Sequence, residues 1–264
     1  MTESEERKMF REAIPIESPP MSDEELEALR RQEGPPSQPE SKNESSLAIF
    51  GTPTEANIAV SPYQYGGKLF FKGSDGLTYV GSAQFVGEYN IILTAAHCVR
   101  DNKTGAFFSN FRFYRAFKNG SYAKLFLVNA WGTKVGWVSD PPNRRYDFAF
   151  LRTTDDSDVG YLGYKTFQSE NSWNAFGYPH NYGNNQIMQT VNGSRGEVVG
   201  GTVQMLGNPM RSGNSGAARF IEVSSNNRQV LGNDAFHKDG DSANEWGPQF
   251  DNSTFTLLKA VHDA

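Results

Sequence analysis

From about residue 49 onward the chain is a succession of short apolar runs cut by Gly, Asn, Asp and Ser, with no long stretch of helical period. A run of four to eight residues ended by a turn residue is too short to repeat a helical stripe but long enough for a strand. The runs fall at 67–72, 79–86, 91–94, 111–116, 124–129, 134–138, 148–152, 196–205, 217–223 and 229–231. About ten such strands predict an all-β body that must close or pair its sheets to protect their edges. The material for a core is present, since 37% of the chain is apolar and 13% aromatic.

Three motifs inside this pattern carry chemistry. In Leu93-Thr94-Ala95-Ala96-His97-Cys98 an apolar strand ends in a small-residue turn bearing a histidine, whose imidazole takes up and returns a proton near neutral pH. In Tyr146-Asp147-Phe148-Ala149-Phe150-Leu151 a carboxylate opens an almost wholly apolar strand, and burial there demands a partner such as a histidine N–H. In Arg211-Ser212-Gly213-Asn214-Ser215-Gly216-Ala217 glycines flank a serine. Such a turn lets a hydroxyl and neighbouring N–H groups face one small volume. The order His97, Asp147, Ser215 is one of the three chain orders in which a catalytic serine triad is built.

Charge divides the chain in two. Residues 1–46 hold 12 acidic and 6 basic side chains and six of the thirteen prolines, leaving 18 acids and 19 bases for the rest. The first part, 1–46, is expected to be a mostly disordered segment. A short helix over 22–31 is the exception, where Ser22 and Glu25 form a capping-box pattern. It reads as a linker, a propeptide or a segment that docks on a partner or on the cleft. The balanced remainder, 47–264, forms the domain and shows no basic stripe for nucleic acid, and no run approaches the ~20 apolar residues of a membrane span. No metal-ligand spacing or cofactor motif is present, so none is expected. The charged start lacks the architecture of a signal peptide, and Cys98 is the only cysteine, which excludes an intrachain disulfide. Both favour a cytoplasmic location, or export without a recognisable signal.

From about residue 61 to 251 the chain resembles the trypsin-like serine peptidases of the chymotrypsin fold, in particular their glutamyl-endopeptidase branch. Besides the three motifs, the resemblance rests on Gly67-Lys68-Leu69-Phe70-Phe71, Tyr79-Val80-Gly81-Ser82-Ala83, Gly177-Tyr178-Pro179 and Asn244-Glu245-Trp246-Gly247-Pro248-Gln249-Phe250. It implies two antiparallel six-stranded β-barrels with the active site between them. It further implies His97 as general base, Asp147 as its orienting carboxylate and Ser215 as nucleophile, with the N–H groups of Gly213 and Ser215 forming the oxyanion hole. The activity implied is that of an endopeptidase acting on polypeptides through an acyl-enzyme, in a family that is usually secreted.

The chain also departs from that family. Gly81 and Asn208 stand where disulfide cysteines are common, and Asn214 replaces the aspartate that pairs with a freed N-terminal amine in trypsin-like zymogens. Ala217-Ala218 replaces a frequent glycine-proline. Met210, Asp234, Ala235 and Phe236 fall on the substrate-binding pocket, with Pro209 and Met210 where trypsin has its pocket-floor aspartate and the residue after it. Asp234 lies near the position of the glutamate-recognising histidine, where a carboxylate would repel glutamate and favour a basic or polar side chain. Two other readings stay open at this level: a catalytically silent binding module on the same fold and, more remotely, an esterase. The esterase order requires an acid and a histidine after the serine, and only 49 residues follow Ser215.

Overall fold

The computed structural model describes residues 1–33 and 51–264. The N-terminal part contains helix α1 (Glu3–Glu12), the two-residue strand β1 (Ile14–Pro15) and helix α2 (Asp23–Glu33), and a short strand β2 (Thr54–Glu55) opens the body. The first half of the body contributes β3 (Gly66–Lys72), β4 (Thr78–Phe85), β5 (Ile91–Thr94), β6 (Ser109–Arg115), β7 (Lys124–Thr133) and β8 (Ala149–Thr153). The second contributes β9 (Gly163–Tyr164), β10 (Ser172–Gly177), β11 (Gln189–Val199), β12 (Thr202–Leu206), β13 (Ala218–Ser224), β14 (Asn227–Asn233) and β15 (Glu245–Pro248), followed by helix α3 (Asn252–His262).

In the first half the strands pair in the order β4-β3-β6-β7-β8-β5, and β5 returns to β4. That ring is a closed six-stranded antiparallel barrel, filled by side chains such as Leu69, Phe85, Ile92, Phe113, Phe126 and Leu151. Closure protects most strand edges, and the stretch of β4 that β5 does not reach, at Tyr79 and Val80, is paired by β1. In the second half β15-β12-β11-β10-β13-β14 pair in sequence. The continuation of β14 returns to β15 through hydrogen bonds from the Ala235 and Phe236 amides to the Trp246 carbonyl.

Several elements differ from the sequence expectation. The run 134–138 contains a 3₁₀ turn, Val135–Trp137, not a strand, with Trp137 buried and its indole N–H donating to the Arg100 carbonyl. The run 196–205 is two strands, because Gly200 and Gly201 both adopt positive φ and reverse the chain. Strands β10 and β15, too short and mixed to stand out, form because each lies between or beside longer partners. Helix α3 closes the chain with a capping box at Asp251 and Thr254.

The expectation of a mostly disordered 1–46 differs from the structure over residues 1–33, which lie folded against the body. Phe10 of α1 is buried, ringed by Phe70, Tyr114, Phe117 and Tyr122 at centroid distances of 4.9–6.0 Å. The Tyr114 and Tyr122 hydroxyls donate to the Glu6 carboxylate. On α2, Glu25 takes a two-pronged hydrogen bond from Arg144 at 2.6 and 3.1 Å, an arginine whose side chain is 4% exposed. Low apolar content argues for disorder only when no surface complements the few apolar groups present. Residues 34–46 of the expected segment lie outside the described residues.

Candidate active site

The pairing of β5 with β8 brings the first two candidate residues together. Thr94 stands opposite Ala149 in that antiparallel register, so the residues just after β5 and those just before β8 emerge at the same end of the barrel. His97 sits there in a 3₁₀ turn, Ala96–Cys98, facing Asp147. The imidazole Nδ1 lies 3.0 and 2.9 Å from the two carboxylate oxygens, and the His97 amide donates to the same carboxylate at 3.0 Å. Asp147 has no exposed surface. Burial by itself lowers the imidazole pKa, but the Asp147 charge, neighbouring Cys98 and the hydrogen bond to Asp147 together outweigh it and hold His97 well above its ordinary value. The geometry fixes the tautomer with Nδ1 protonated, which turns Nε2 to the cleft. Nε2 is buried and has no hydrogen-bond partner among the described residues.

Ser215 belongs to the turn that leads into β13. Gly213 and Gly216 on either side of it have φ of +86° and +88°, a region that disfavours any side chain. A Cβ at Gly216 would lie 2.3 Å from the Ser82 carbonyl oxygen. The turn is tied to the first barrel through Ser82 of β4, whose amide donates to the Ser215 carbonyl at 2.8 Å and whose hydroxyl donates to the Gly213 carbonyl at 2.9 Å. That pair of hydrogen bonds ties the serine turn to the barrel that carries His97. Sequence reasoning passed over Ser82 because a lone serine in a strand carries no pattern.

A carbonyl oxygen already occupies this site. The Gly213 amide donates to the carbonyl of Ile16 at 2.7 Å, and the Ser215 hydroxyl donates to the same oxygen at 3.3 Å. Ile16 directly follows β1, which pairs in parallel with Tyr79 and Val80 of β4, and its amide donates to the Val80 carbonyl at 2.9 Å. The sequence signal was present, as Ile14-Pro15-Ile16 is an apolar triplet inside an acidic segment.

The expected pocket residues fall in two groups. Met210 is fully buried among Trp173, Met205 and Leu231. Ala235 and Phe236 are covered by Met21 and Leu26 of the N-terminal segment. Asp234 differs from the expectation of a carboxylate free to select a basic substrate side chain. It has no exposed surface, and Arg219, equally buried, donates to it from Nε at 2.6 Å. The side-chain amides of Asn208 and Asn214 both donate to its other oxygen at 2.7 Å. Its charge is neutralised inside the protein, and it anchors the Ser215 turn through Asn214. An arginine within the apolar run 217–223 was the available signal, since a charge in a buried strand requires an opposite partner.

Cys98 is buried and free, and a Cβ on Gly81 would lie 3.0 Å from its sulfur. Among the described residues no group of His, Cys, Asp and Glu side chains is arranged to hold a metal ion, and no helix is long and apolar enough to cross a membrane.

A sequence profile of the trypsin-like peptidase domain matches residues 81–234, which spans all three candidate residues. No curated protein sequence matches the chain. Among solved structures, the protease Anisep from Arthrobacter nicotinovorans superposes with a TM-score of 0.68 at 23% identity, covering 76% of this chain and 96% of its own. The thermostable serine protease AL20 from an extremophilic microorganism gives 0.67 at 21% identity, covering 76% and 98%. A Glu endopeptidase gives 0.66 at 18% identity, covering 80% and 97%. At these identities the three structures speak for a shared fold.

Proposed function

The chain belongs to the family of trypsin-like peptidases and is a serine-type endopeptidase, and on that footing we propose that His97, Asp147 and Ser215 carry its chemistry. The observation that supports this most directly is that the Gly213 N–H holds a peptide carbonyl oxygen that also accepts from the Ser215 hydroxyl, in a chain whose His97 is paired with Asp147. With a substrate in place of Ile16, His97 Nε2 takes the Ser215 proton as Oγ attacks the carbonyl carbon. The oxygen, now negative, is held by the Gly213 and Ser215 N–H groups, of which the Gly213 N–H already holds the Ile16 carbonyl and so costs little reorganisation. The imidazolium, stabilised by Asp147, gives its proton to the leaving amine. Water then enters on the same side, loses a proton to His97 and releases the acyl group from Ser215.

Polypeptides are the substrates of such an enzyme. Preference for a basic residue has no support from Asp234, whose charge Arg219 already neutralises. Overnight exposure to a fluorophosphonate probe should phosphonylate Ser215. His97→Ala should slow that reaction by at least about 10³-fold, the scale set by losing one member of a triad. Equal labelling without His97 would remove this reading.

A further inference from the structure

We infer that residues 14–21 are an inhibitor built into the chain, laid through the cleft with reversed polarity so that the active site is held shut until this segment is displaced. The inference rests on the peptidase reading above and names the regulation of that same site.

The segment engages the site by its main chain. Ile16 accepts from the Gly213 amide, and the Met21 amide donates to the His237 carbonyl at 2.8 Å. The Asp239 amide completes the exchange by donating to the Met21 carbonyl at 2.9 Å, and Met21 bridges Lys238 in parallel. Side chains add specific contacts. Glu17 accepts from the Ser212 hydroxyl, one residue before Gly213, and lies 3.3 Å from His237 Nδ1. Met21 has no exposed surface, packed with Leu26, Phe236 and Trp246. With the segment in place His97 is 8% exposed and Ser215 6%, and the position a substrate carbonyl would take on the Gly213 amide is filled by Ile16.

Two features make the segment an inhibitor and not a waiting substrate. First, the chain before Ile16 lies along β4 and the chain after it lies against residues 236–239. Residues 235–236 belong to the pocket that the resemblance implies, and in peptidases of this kind such a pocket takes the residue that precedes the attacked bond, so the segment enters backwards. Second, the Ser215 hydroxyl is spent on the Ile16 carbonyl oxygen while His97 Nε2 has no partner, so no base is in place to draw off the serine proton. The carbonyl is held but not activated.

Both ends of the segment are anchored away from the site, by Phe10 in its aromatic ring on one side and by the Arg144–Glu25 pair on the other. Tethering of this kind gives the occluding segment a high effective concentration at the cleft. It also gives two places at which a variant can loosen it without touching the catalytic groups.

The test uses the full-length protein and the double variant Phe10→Ala, Met21→Asp. Fluorophosphonate labelling at Ser215 should run at least about 100-fold faster in the variant, as expected when a closed state outnumbers the open one by that factor. Hydrogen exchange at the Ile16, Met21 and Gly213 amides should accelerate in parallel, and a synthetic peptide of residues 1–33 added in trans should restore slow labelling. Wild-type protein that labels as fast as the variant, or whose Ile16 and Met21 amides exchange freely, overturns the inhibitor. Cleavage of the wild-type chain after Ile16, seen as a loss of intact mass, overturns it too by making the segment a substrate. A variant that exchanges freely yet never labels overturns the peptidase reading, so the two failures are distinguishable. Should the double variant fail to fold, a sequence-specific protease site inserted between Glu33 and Gly51 answers the same question. After cutting, activity should rise on dilution as the segment dissociates, and activity unaffected by cutting and dilution refutes the inference.

Discussion

Replacing Gly81 with cysteine should create a disulfide to Cys98 and convert a contact into a measurable gain in stability. A Cβ built on Gly81 lies 3.0 Å from the Cys98 sulfur, and a cysteine Cβ sits about 3 Å from the far sulfur across an S–S bond of ~2.04 Å. The two positions are seventeen residues apart in sequence. Closing a loop of that size removes chain entropy worth about 3 kcal/mol from the unfolded state. Against this stands crowding, because the same Cβ would lie 3.1 Å from the Ser215 carbonyl oxygen and 3.5 Å from Ile16 Cγ2. The first must give by a few tenths of an ångström. A net gain of about 2–3 kcal/mol is expected, which for a domain of this size is a rise in Tm on the order of 5–10 °C. The assay is thermal unfolding of Gly81→Cys in an oxidising glutathione buffer and again in dithiothreitol, with free thiols counted in each. Retention of both thiols under oxidising conditions would refute the geometry. Formation of the bond with a fall in Tm would show that the Ser215 carbonyl cannot move.

Asp234→Asn should destabilise the fold by about 3–5 kcal/mol, because it leaves the buried Arg219 guanidinium without its counter-charge; urea unfolding measures this, and a change under 1 kcal/mol contradicts the anchoring role. Lys68 gives a pH dependence of the same sense as that of a paired carboxylate, but in a window several pH units higher. Its ammonium is buried, donating to the Asn185 carbonyl at 2.7 Å and lying over the Phe70 and Phe117 rings, and burial lowers its pKa to about 7 from 10.5. Between those values the unfolded chain binds the proton that the folded one has lost, so this group makes stability rise with pH over that window, by an amount on the order of several kcal/mol. Lys68→Met should flatten that part of the stability profile, and an unchanged slope refutes the assignment.

The β architecture was legible because a strand is written in its own residues. Alternation and turn signals located β3, β5, β8 and β13, and a closed antiparallel fold follows from many such strands in a row. His97, Asp147 and Ser215 were legible for a related reason: each sits at a junction where an apolar run meets small or turn-forming residues, and Gly213 and Gly216 mark the turn by the left-handed backbone only glycine adopts freely. Strand β10 was not legible, since Ser172–Gly177 mixes polar and apolar residues and is stabilised by β11 and β13 on either side. The 3₁₀ turn at Val135–Trp137 has an apolar spelling that a strand would share.

The sequence alone therefore determined where several strands and the Ser215 turn fall, the class of fold and the kinds of chemical group available, because these depend on residues adjacent in the chain. Only the tertiary structure decided what each group meets. Asp234 reads as a pocket carboxylate until β13 brings Arg219 beside it, and residues 1–33 read as an acidic tail until Phe10 and Met21 find their apolar surroundings. Such pairings join segments far apart in sequence, and burial makes their cost or gain large. Charge, polarity and exposure at this active site are properties of the assembled barrels and of the segment laid across them.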